Sequence, residues 1–238
     1  MSDFKTVFTE ALNEFGMELD EIAVDRFCRY NDLLIEWNKK MNLTALTDPR
    51  DVAVKHFIDS LTLLQYADVP QGARMIDIGT GAGFPGLALK IARPDIRLTL
   101  LDSLQKRLVF LDEVCEQLAL DGVDTVHSRA EDGAHTAFRE SYDIAVARAV
   151  APLNVLCEYC LPYVKVGGRF LAMKGKTAAE ELQDADNAIT ELGGRVGEKR
   201  FFTLGDAGER GIITIEKIAS TPDKYPRKSK VTKNKPLL

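Results

Sequence analysis

The stretch from residue 75 to residue 86 constrains the fold more than any other part of the chain. Its sequence, Met-Ile-Asp-Ile-Gly-Thr-Gly-Ala-Gly-Phe-Pro-Gly, passes from an apolar run into four glycines, and residues 87–91 then have the pattern of a helix. A strand that turns through glycines into a helix brings backbone N–H groups and a helix N-terminus close to a bound polar or anionic group. Gly81, Gly83 and Gly86 also satisfy G-x-G-x-x-G, which alone is a weak signal.

Two acidic residues strengthen this signal. Asp77 lies two residues before Gly79, and Asp102 ends a second apolar run at the distance where an acidic residue meets ribose hydroxyls. The pattern therefore predicts a pocket for a nucleoside-bearing cofactor. The alternative is a glycine-rich turn that only packs a helix onto a strand.

The length and the cysteines narrow the class of protein. A chain of 238 residues suits one α/β domain with an appendage. No apolar run approaches the roughly 20 residues of a membrane span, and the N-terminus lacks the pattern of a signal peptide, so we expect a cytoplasmic protein. Cys157 and Cys160 form a C-x-x-C without a second such pair or a histidine pair, so we expect buried thiols and no metal site, with a redox pair left open.

The charge is distributed unevenly along the chain. Of its 31 basic and 36 acidic residues, six basic and one acidic lie in 220–238, which leaves a net charge of −10 on the rest. A basic tail on an acidic body favours a polyanionic partner, with nucleic acid the first candidate. The alternative is a solvated tail without a ligand.

The periodicity divides the chain into a helical cap, an alternating domain and the tail, with bounds 1–71, 72–219 and 220–238. Helical patterns cover 4–15, 20–40 and 48–64. Strands and helices then alternate, which predicts a parallel, doubly wound sheet. The predicted strands are 73–79, 96–102, 123–127, 142–147 and 169–173, and the helices between and after them are 85–92, 104–120, 130–139, 152–163 and 177–192.

The end of the alternating domain has a different pattern. Strands predicted at 196–203 and 212–218 are separated by a loop too short for a crossover helix, so they must form an antiparallel hairpin. The tail that follows contains three prolines and few apolar residues, so we expect it to be poorly ordered.

Two cofactor classes fit the glycine loop. A dinucleotide needs a second binding half and usually a substrate domain, for which the residues after 150 are too few. S-adenosylmethionine needs one half, and Asp77 favours it because a carboxylate can hold an ammonium group but sits awkwardly against a pyrophosphate. The chain has no G-x-x-x-x-G-K-[ST] motif, so phosphate-cradling chemistry is not indicated.

Several motifs follow one another in one order between about residue 30 and residue 218. They are Trp37-Asn38, Asn42-Leu43-Thr44, His56 to Ser60, Asp77 to Gly86, Leu101-Asp102-Ser103, Lys106-Arg107, Arg129-Ala130-Glu131, Ala147-Arg148-Ala149 and Met173-Lys174-Gly175. In these motifs the sequence resembles the glucose-inhibited division protein B family, bacterial methyltransferases that modify N7 of a guanine in 16S ribosomal RNA.

The resemblance implies a class I S-adenosylmethionine-dependent methyltransferase fold with a helical N-terminal cap. It also implies cofactor contacts at Gly79, Phe84, Ala130, Glu131 and Arg148. With the glycine-loop and ribose-side residues, the predicted cofactor site comprises Asp77, Gly79, Gly81, Gly83, Phe84, Asp102, Ser103, Ala130, Glu131 and Arg148. For Glu131 the alternative is a carboxylate that stabilises a helix N-terminus.

Arg148 stands out because it interrupts an apolar run and has no neighbour in the sequence to neutralise it. An unpaired buried charge is costly, so we expect a bound partner there. Candidates for positioning the target base are Arg148, Lys174, His56 and Asn42. A lone histidine such as His56 is more often a structural residue.

The sequence after the fourth predicted strand distinguishes between classes of methyl transfer. It lacks the Asn/Asp-Pro-Pro-aromatic motif of amino-group methylation, and no cysteine lies where carbon-5 methylation needs one. Guanine N7 already has a lone pair, so its methylation needs positioning rather than a base. A protein that only binds the cofactor would also lack a catalytic base and a nucleophile.

The expected partner is 16S rRNA or the small ribosomal subunit. We expect the protein to be a monomer that binds neither a membrane nor a metal. Candidates for RNA backbone contact are Lys106, Arg107, Lys224, Arg227, Lys228 and Lys230. A nucleotide-dependent oxidoreductase and a non-catalytic RNA-binding protein remain the alternative functions.

Overall fold

A seven-stranded sheet forms the centre of the protein in a computed structural model that describes residues 4–148 and 151–238. The strand order is β3-β2-β1-β4-β5-β7-β6, with β1 to β5 parallel and β7 antiparallel to both β5 and β6. The strands are β1 Arg74–Ile78, β2 Arg97–Asp102, β3 Val123–His127, β4 Tyr142–Arg148, β5 Val164–Lys174, β6 Gly194–Thr203 and β7 Glu209–Lys217. The predicted parallel sheet and C-terminal hairpin are therefore confirmed.

Eleven α-helices surround this sheet in the described residues. They are α1 Phe4–Glu14, α2 Glu21–Met41, α3 Pro49–Val52, α4 Asp59–Tyr66, α5 Gly86–Ala92, α6 Gln105–Gln117, α7 Ala130–Gly133, α8 Leu153–Cys160, α9 Ala178–Asp184, α10 Asp186–Glu191 and α11 Ser229–Asn234. None of the helices in the described ranges is long and apolar enough to cross a membrane.

The helices bury both faces of the sheet. Successive side chains of a strand point to opposite faces, so Met75 packs in the core formed with α1, α2, α5 and α6, whereas Ile76 packs in the core formed with α8, α9 and α10. This burial on both faces explains why the central strands are continuously apolar in sequence. The parallel strands all end at one edge, where the glycine loop begins.

The N-terminal helices share the first of these cores with the sheet. Phe8, Phe27 and Phe57 pack against one another in tilted and edge-on orientations with ring centroids 4.9–5.7 Å apart, and all three are fully buried. Asp20 caps α2 by accepting a hydrogen bond from the Ala23 N–H at 2.7 Å, as its place in the sequence predicts. The cap is thus continuous with the rest of the molecule rather than separately folded.

One turn of π-helix, Ala53–Ile58, separates α3 from α4 inside the predicted third helical segment. Such wide turns shift the register of the side chains that follow and occur often at functional sites. Here the turn carries His56 and is followed directly by Asp59. The sequence pattern predicted continuous helix and gave no sign of this turn.

Two predicted helices differ from the structure. The segment predicted as helix 130–139 is helical only in α7, and beyond it Arg139 donates to the carbonyl groups of Thr221 at 2.7 Å and Tyr225 at 2.9 Å. The segment predicted as helix 177–192 is divided into α9 and α10 around the buried Ala185.

The C-terminal segment also differs from its prediction as a poorly ordered tail. Residues 220–238 include α11, and Tyr225 and Thr232 are buried. The reason is a set of tertiary partners: Glu158 in α8 binds Arg227, and Glu191 in α10 accepts from the hydroxyl of Tyr225 at 3.0 Å. The sequence of the segment alone does not reveal these partners.

Candidate active site

Two cavities open at the carboxyl edge of the parallel strands. The first, which we call the glycine-loop cavity, has a volume of about 370 Å³ and is lined by Ile78, Gly79, Leu101, Asp102, Ser103, Arg107, Ser128, Arg129, Ala130, Glu131, Arg148, Tyr159, Ser229 and Lys233. The second, the cap cavity, has a volume of about 420 Å³ and is lined by Leu46, Lys55, His56, Asp59, Thr62, Arg148, Met173, Lys174, Gly175, Glu181, Phe202, Arg210, Gly211 and Ile212. Arg148 lines both cavities.

The glycine loop is held by backbone hydrogen bonds and by left-handed glycines. The N–H groups of Gly79 and Thr80 donate to the Leu101 carbonyl at 2.8 and 3.1 Å, which ties the loop to the end of β2. Gly79, Gly81 and Gly83 all have positive φ, a conformation that other residues rarely adopt. Among the described glycines of the loop, Gly79 is the one that lines the cavity.

Gly83 has a different role from the one predicted for it. A Cβ at this position would overlap the Tyr30 hydroxyl and lie 2.9 Å from Leu111, so Gly83 is needed for packing of the cap and α6 against the loop. At Gly81 an added Cβ would make only an ordinary van der Waals contact, 4.0 Å from the Gly79 carbonyl oxygen. The repeat of glycines thus combines a tightly packed position, Gly83, with one that has room for a Cβ, Gly81.

Asp77 lies beneath the loop as a fully buried carboxylate. Its Oδ2 accepts hydrogen bonds from the Thr80 hydroxyl and the Gly86 N–H, both at 2.8 Å. Its Oδ1 is buried and has no hydrogen-bond partner within the described residues. Burial raises the pKa of Asp77 to about 6, against the opposing effect of the two hydrogen bonds.

Asp102 lies at the end of β2, on the wall of the same cavity. Its Oδ2 accepts from the Gly81 N–H at 3.0 Å and from Arg107 at 3.2 Å, and its Oδ1 accepts from the Leu104 N–H at 2.9 Å. A carboxylate has about four acceptor sites, so Asp102 keeps capacity for a further donor. Ser103 lines the cavity beside it, as the sequence predicts.

Ala130 and Glu131 begin α7 at the far side of the glycine-loop cavity. The Ala130 carbonyl accepts from the Tyr163 hydroxyl at 2.7 Å, which fixes the backbone there. Glu131 is buried in the first helical turn, so the position agrees both with a cavity residue and with a helix N-terminal carboxylate.

Arg148 ends β4 and is not the unpaired charge that the sequence suggested. Its guanidinium donates to Asp59 Oδ2 at 3.0 Å and to the Lys55 carbonyl at 3.2 Å, and it lies over the Phe84 ring at 5.1 Å. Because Asp59 comes from the cap, 89 residues away in the chain, the local sequence could not reveal this partner. The motif residue Ala149 lies outside the described residues, as does Val150.

His56 links Arg148 to the cap. Arg148 Nη2 lies 3.3 Å from His56 Nδ1, and His56 Nε2 lies 2.8 Å from the Thr44 hydroxyl. A guanidinium can only donate, so Nδ1 accepts and the ring proton is on Nε2. Burial and the adjacent Arg148 lower the pKa of His56 to about 4, so the ring is neutral at pH 7. Both nitrogens are occupied, which agrees with the structural alternative for His56.

Phe84 is enclosed by protein groups rather than open to the glycine-loop cavity. Its ring stacks on His56 with a centroid distance of 4.6 Å and on Tyr30 at 5.5 Å. The Phe84 ring therefore packs against the side chains of His56 and Arg148, whereas the sequence predicted that it packs directly on the cofactor.

Of the remaining candidates for positioning the base, Lys174 lines the cap cavity and Asn42 does not. Lys174 donates to Glu181 at 2.6 Å and to the Ala151 carbonyl at 2.8 Å. Asn42 instead ends α2 in a left-handed conformation with φ of 46° and is exposed. Its role in the structure is that of a helix C-cap, for which asparagine is a common choice.

The structure adds residues that sequence reasoning missed. Arg210 in β7 donates to Asp59 Oδ1 at 2.8 Å, so Asp59 binds two arginines of the cap cavity at once. The signal available for Asp59 was a carboxylate inside an otherwise apolar helical pattern. For Arg210, and for Tyr159, Ser229 and Lys233 of the glycine-loop cavity, no comparable signal exists in the sequence.

The basic residues proposed for RNA contact fall into two groups. Arg107 binds Asp102, Arg227 binds Glu158 at 2.6 Å and Lys224 binds Glu191 at 2.9 Å, so these three have intramolecular partners. The side chains of Lys106, Lys228 and Lys230 are exposed. The two groups therefore differ in their intramolecular partners, and contact of either group with RNA stays a prediction.

The cysteine pair lies in the core. Cys157 and Cys160 are fully buried in α8, and burial raises the pKa of both thiols. A protonated, buried thiol reacts slowly. No group of three or more His, Cys, Asp and Glu side chains that could hold a metal occurs in the described part of the chain.

Relatives in other organisms match almost the whole chain. A protein of Alkaliphilus metalliredigens named ribosomal RNA small subunit methyltransferase G is 50% identical over 235 residues, which are 98% of this chain and 98% of that protein. A protein of the same name from Leuconostoc mesenteroides is 49% identical over 233 residues, with 97% and 98% covered.

Solved structures share the fold at low sequence identity. An S-adenosylmethionine-dependent methyltransferase from Aquifex aeolicus has a TM-score of 0.54 and 18% identity, covering 73% of this chain and 96% of that one. TYW2 of M. jannaschii, solved in complex with AdoMet, has a TM-score of 0.53 and 11% identity, covering 68% and 76%. The predicted class I methyltransferase fold is therefore confirmed.

Most of the chain also matches the model of a known protein family. The model of the GidB family, described as rRNA small subunit methyltransferase G, matches residues 23–209, which include the glycine loop, Asp59 and Arg148. The chain therefore belongs to the GidB family, as the motifs in its sequence indicated.

Proposed function

We infer that the protein transfers a methyl group from S-adenosylmethionine to N7 of a guanine in 16S ribosomal RNA. The observation that carries this proposal is the pair of cavities that meet at Arg148 on the carboxyl edge of the sheet. A methyl donor in one cavity and a base in the other would face each other across this residue. The names of the relatives supply the RNA class.

The glycine-loop cavity has groups suited to S-adenosylmethionine. Beneath the glycine loop, and outside the lining of the cavity, Asp77 has a buried Oδ1 without a hydrogen-bond partner in the described residues, and an ammonium group is a fitting donor for it. Asp102 keeps acceptor capacity for ribose hydroxyls, and Gly79 lets the backbone approach the ligand closely. We propose that these residues, with Ser103, Ala130 and Glu131, hold the cofactor.

The cap cavity suits a guanine more than a base-catalysed acceptor. When bound, S-adenosylmethionine supplies a methyl group on a positively charged sulfur, which the N7 lone pair can displace without prior loss of a proton. Asp59 is committed to two arginines, and Glu181 binds Lys174, so these carboxylates are not placed as general bases. We propose that the chain accelerates the reaction by orientation.

Four cations line the cap cavity, and besides Lys55, which binds Asp51, three of them can donate to guanine O6, the acceptor beside N7. Arg148, Arg210 and Lys174 are each fixed by a carboxylate, so their positions are defined before RNA binds. Fixed donors lose little conformational entropy on binding. We therefore assign base positioning to these three residues and leave His56 as the support of Arg148.

We further propose a cytoplasmic monomer, in which the cap of residues 1–71 forms the wall of the base-binding cavity through His56 and Asp59. The target base has to leave its stack or lie in an exposed loop to enter this cavity. Light scattering of the purified chain tests the monomer.

The experiment that tests the function is incubation of the protein with radiolabelled S-adenosylmethionine and either naked 16S rRNA or small subunits. Label on either substrate supports the proposal, and absence of label from both contradicts it. In parallel, equilibrium binding of S-adenosylmethionine and of a nicotinamide dinucleotide separates a methyltransferase from an oxidoreductase. Cofactor binding without RNA labelling would leave a non-catalytic RNA-binding protein.

A further inference from the structure

Glu158 is a fully buried carboxylate in α8, and it is bound by the C-terminal segment. Its Oε1 accepts from the Arg227 N–H at 2.7 Å, from Arg227 Nε at 2.9 Å and from the Thr232 hydroxyl at 3.1 Å, while its Oε2 accepts from Arg227 Nη2 at 2.6 Å. Four hydrogen bonds thus converge on one carboxylate. The bidentate guanidinium–carboxylate pair is among the stronger and more directional contacts in proteins.

We call the contact between Glu158 and Arg227 the latch. A segment that served only to bind RNA would not need such a contact with a buried carboxylate. A buried carboxylate left without its partner is strongly destabilising, so the protein keeps Arg227 in place. Two further contacts hold the same segment: His135 Nε2 lies 3.0 Å from the Pro226 carbonyl, and Arg139 donates to the Tyr225 carbonyl at 2.9 Å. The position of residues 225–234 is therefore set by three side chains of the body, Glu158, His135 and Arg139.

The latch places α11 against the glycine-loop cavity. Ser229 and Lys233, one turn apart on α11, line this cavity together with Arg129, Ala130 and Glu131. Ser229 Oγ lies 3.1 Å from the hydroxyl of Tyr159, another lining residue, which continues the wall from α8 into α11. Lys233 has no carboxylate within 4 Å of its ammonium group in the described residues.

We propose that residues 225–234 form a wall of the cofactor cavity, latched to α8 by Glu158 and Arg227, and that Lys233 covers the adenosine end of the bound cofactor. This inference rests on the proposed function, because it assumes that the glycine-loop cavity holds S-adenosylmethionine. A lysine stem can cover an apolar ring while its ammonium group stays in water. The C-terminal segment is thereby a binding element for the small molecule as well as a carrier of basic residues.

The test measures binding of S-adenosylhomocysteine to the full chain by isothermal titration calorimetry, so the readout does not depend on methylation. We expect Lys233→Ala to weaken binding about threefold, as for an exposed charged contact, and Glu158→Ala to weaken it about tenfold through loss of the whole wall. The matched control is Lys235→Ala, which removes the same charge from the same segment at a residue that does not line the cavity. Its affinity should equal that of the wild type.

Limited trypsin digestion gives a second readout that requires no variant. Cleavage after Lys228, Lys230 and Lys233 should be slower in the wild type when S-adenosylhomocysteine saturates the cavity. Equal affinity of Lys233→Ala and wild type, together with unchanged cleavage on ligand binding, would overturn the proposal, whatever the stability of Glu158→Ala. Failure of the wild type itself to bind S-adenosylhomocysteine would overturn both this inference and the proposed function.

Discussion

Arg148 at the end of β4 donates to Asp59 of the cap at 3.0 Å, and both side chains are largely buried. The same carboxylate accepts from Arg210 of β7 at 2.8 Å. One cap residue therefore fixes two guanidinium groups that come from different strands of the sheet. The cap cavity is therefore formed by side chains of both the helical cap and the sheet.

Asp59→Asn tests this arrangement. The amide keeps the size of the side chain but removes its charge, so the two arginines lose their common anchor and repel each other. We expect the methylation rate to fall about a hundredfold, the scale of loss that follows misplacement of positioning groups. Cofactor affinity should change far less, because Asp59 lines the cap cavity and not the glycine-loop cavity.

The matched control is Asp68→Asn, which removes a carboxylate bound to Arg169 on the surface. It should keep the wild-type methylation rate. An Asp59→Asn protein as active as this control would show that the two arginines need no shared anchor.

The pH dependence of cofactor binding tests Asp77. Its pKa of about 6 in the free protein should fall when an ammonium group binds, so binding requires loss of a proton below pH 6. Affinity for S-adenosylmethionine should accordingly be constant from pH 7 to 8 and fall by about tenfold per pH unit well below pH 6.

Asp77→Asn should bind weakly and lose this pH dependence. The effect on stability has the opposite sign. Because the folded pKa of about 6 lies above the unfolded value near 3.8, the free energy of unfolding falls as the pH rises from about 3.8 to about 6, and the full loss persists above pH 6. The free energy of unfolding at pH 7.5 should therefore not fall in the variant. Weak binding together with a marked loss of stability would point to a structural role for Asp77 instead.

The glycines of the loop should differ in what they tolerate. Gly83→Ala places a Cβ against Tyr30 at φ of 97°, so we expect a loss of about 3 kcal/mol or more in the free energy of unfolding. Gly81→Ala makes only an ordinary contact, 4.0 Å from the Gly79 carbonyl oxygen, at φ of 61°, so only the backbone strain of about 1 kcal/mol should appear. Urea titrations measure both values, and equal losses would refute the division of roles between the two glycines.

The salt dependence of RNA binding tests which basic residues contact phosphates. The sequence predicts that neutralising the six basic residues of the tail flattens this dependence. The structure divides that set, so we expect the triple variant Lys228→Gln, Lys230→Gln, Lys235→Gln to reduce the slope of log K against log salt by about 2.

The control for this experiment neutralises Lys5, Lys40 and Lys165, which lie outside the tail and are each bound to a carboxylate. It changes the net charge by the same amount and should leave the slope close to the wild-type value. Filter binding or anisotropy with a 16S rRNA fragment provides both slopes. Equal slopes for the two triple variants would exclude the tail as a specific phosphate-binding element.

The sequence predicted those features that depend on local patterns. The glycine loop, the alternation of strands and helices and the short loop between the last two strands were sufficient for the sheet and its antiparallel hairpin. Asp102 and Arg148 also lie at strand ends, as the order of elements required. These features follow from periodicity and turn chemistry, which act over a few residues.

The features that sequence reasoning missed depend on contacts between distant parts of the chain. The pairing of Arg148 with Asp59, the wide helical turn at His56 and the latch between Glu158 and Arg227 each join segments whose own patterns give no sign of the partner. Arg148 and the tail were therefore both interpreted as free for ligands, when each has an intramolecular carboxylate.

The most direct test of the account is the chemical position of the methyl group. After incubation of wild-type protein with S-adenosylmethionine and small subunits, the 16S rRNA is analysed for the modified nucleotide and its place in the sequence. We expect methylation of N7 at a single guanine, because the cap cavity supplies positioning donors and no base. Methyl groups on an exocyclic amine, a ring carbon or a ribose, or no methylated nucleotide, would contradict it.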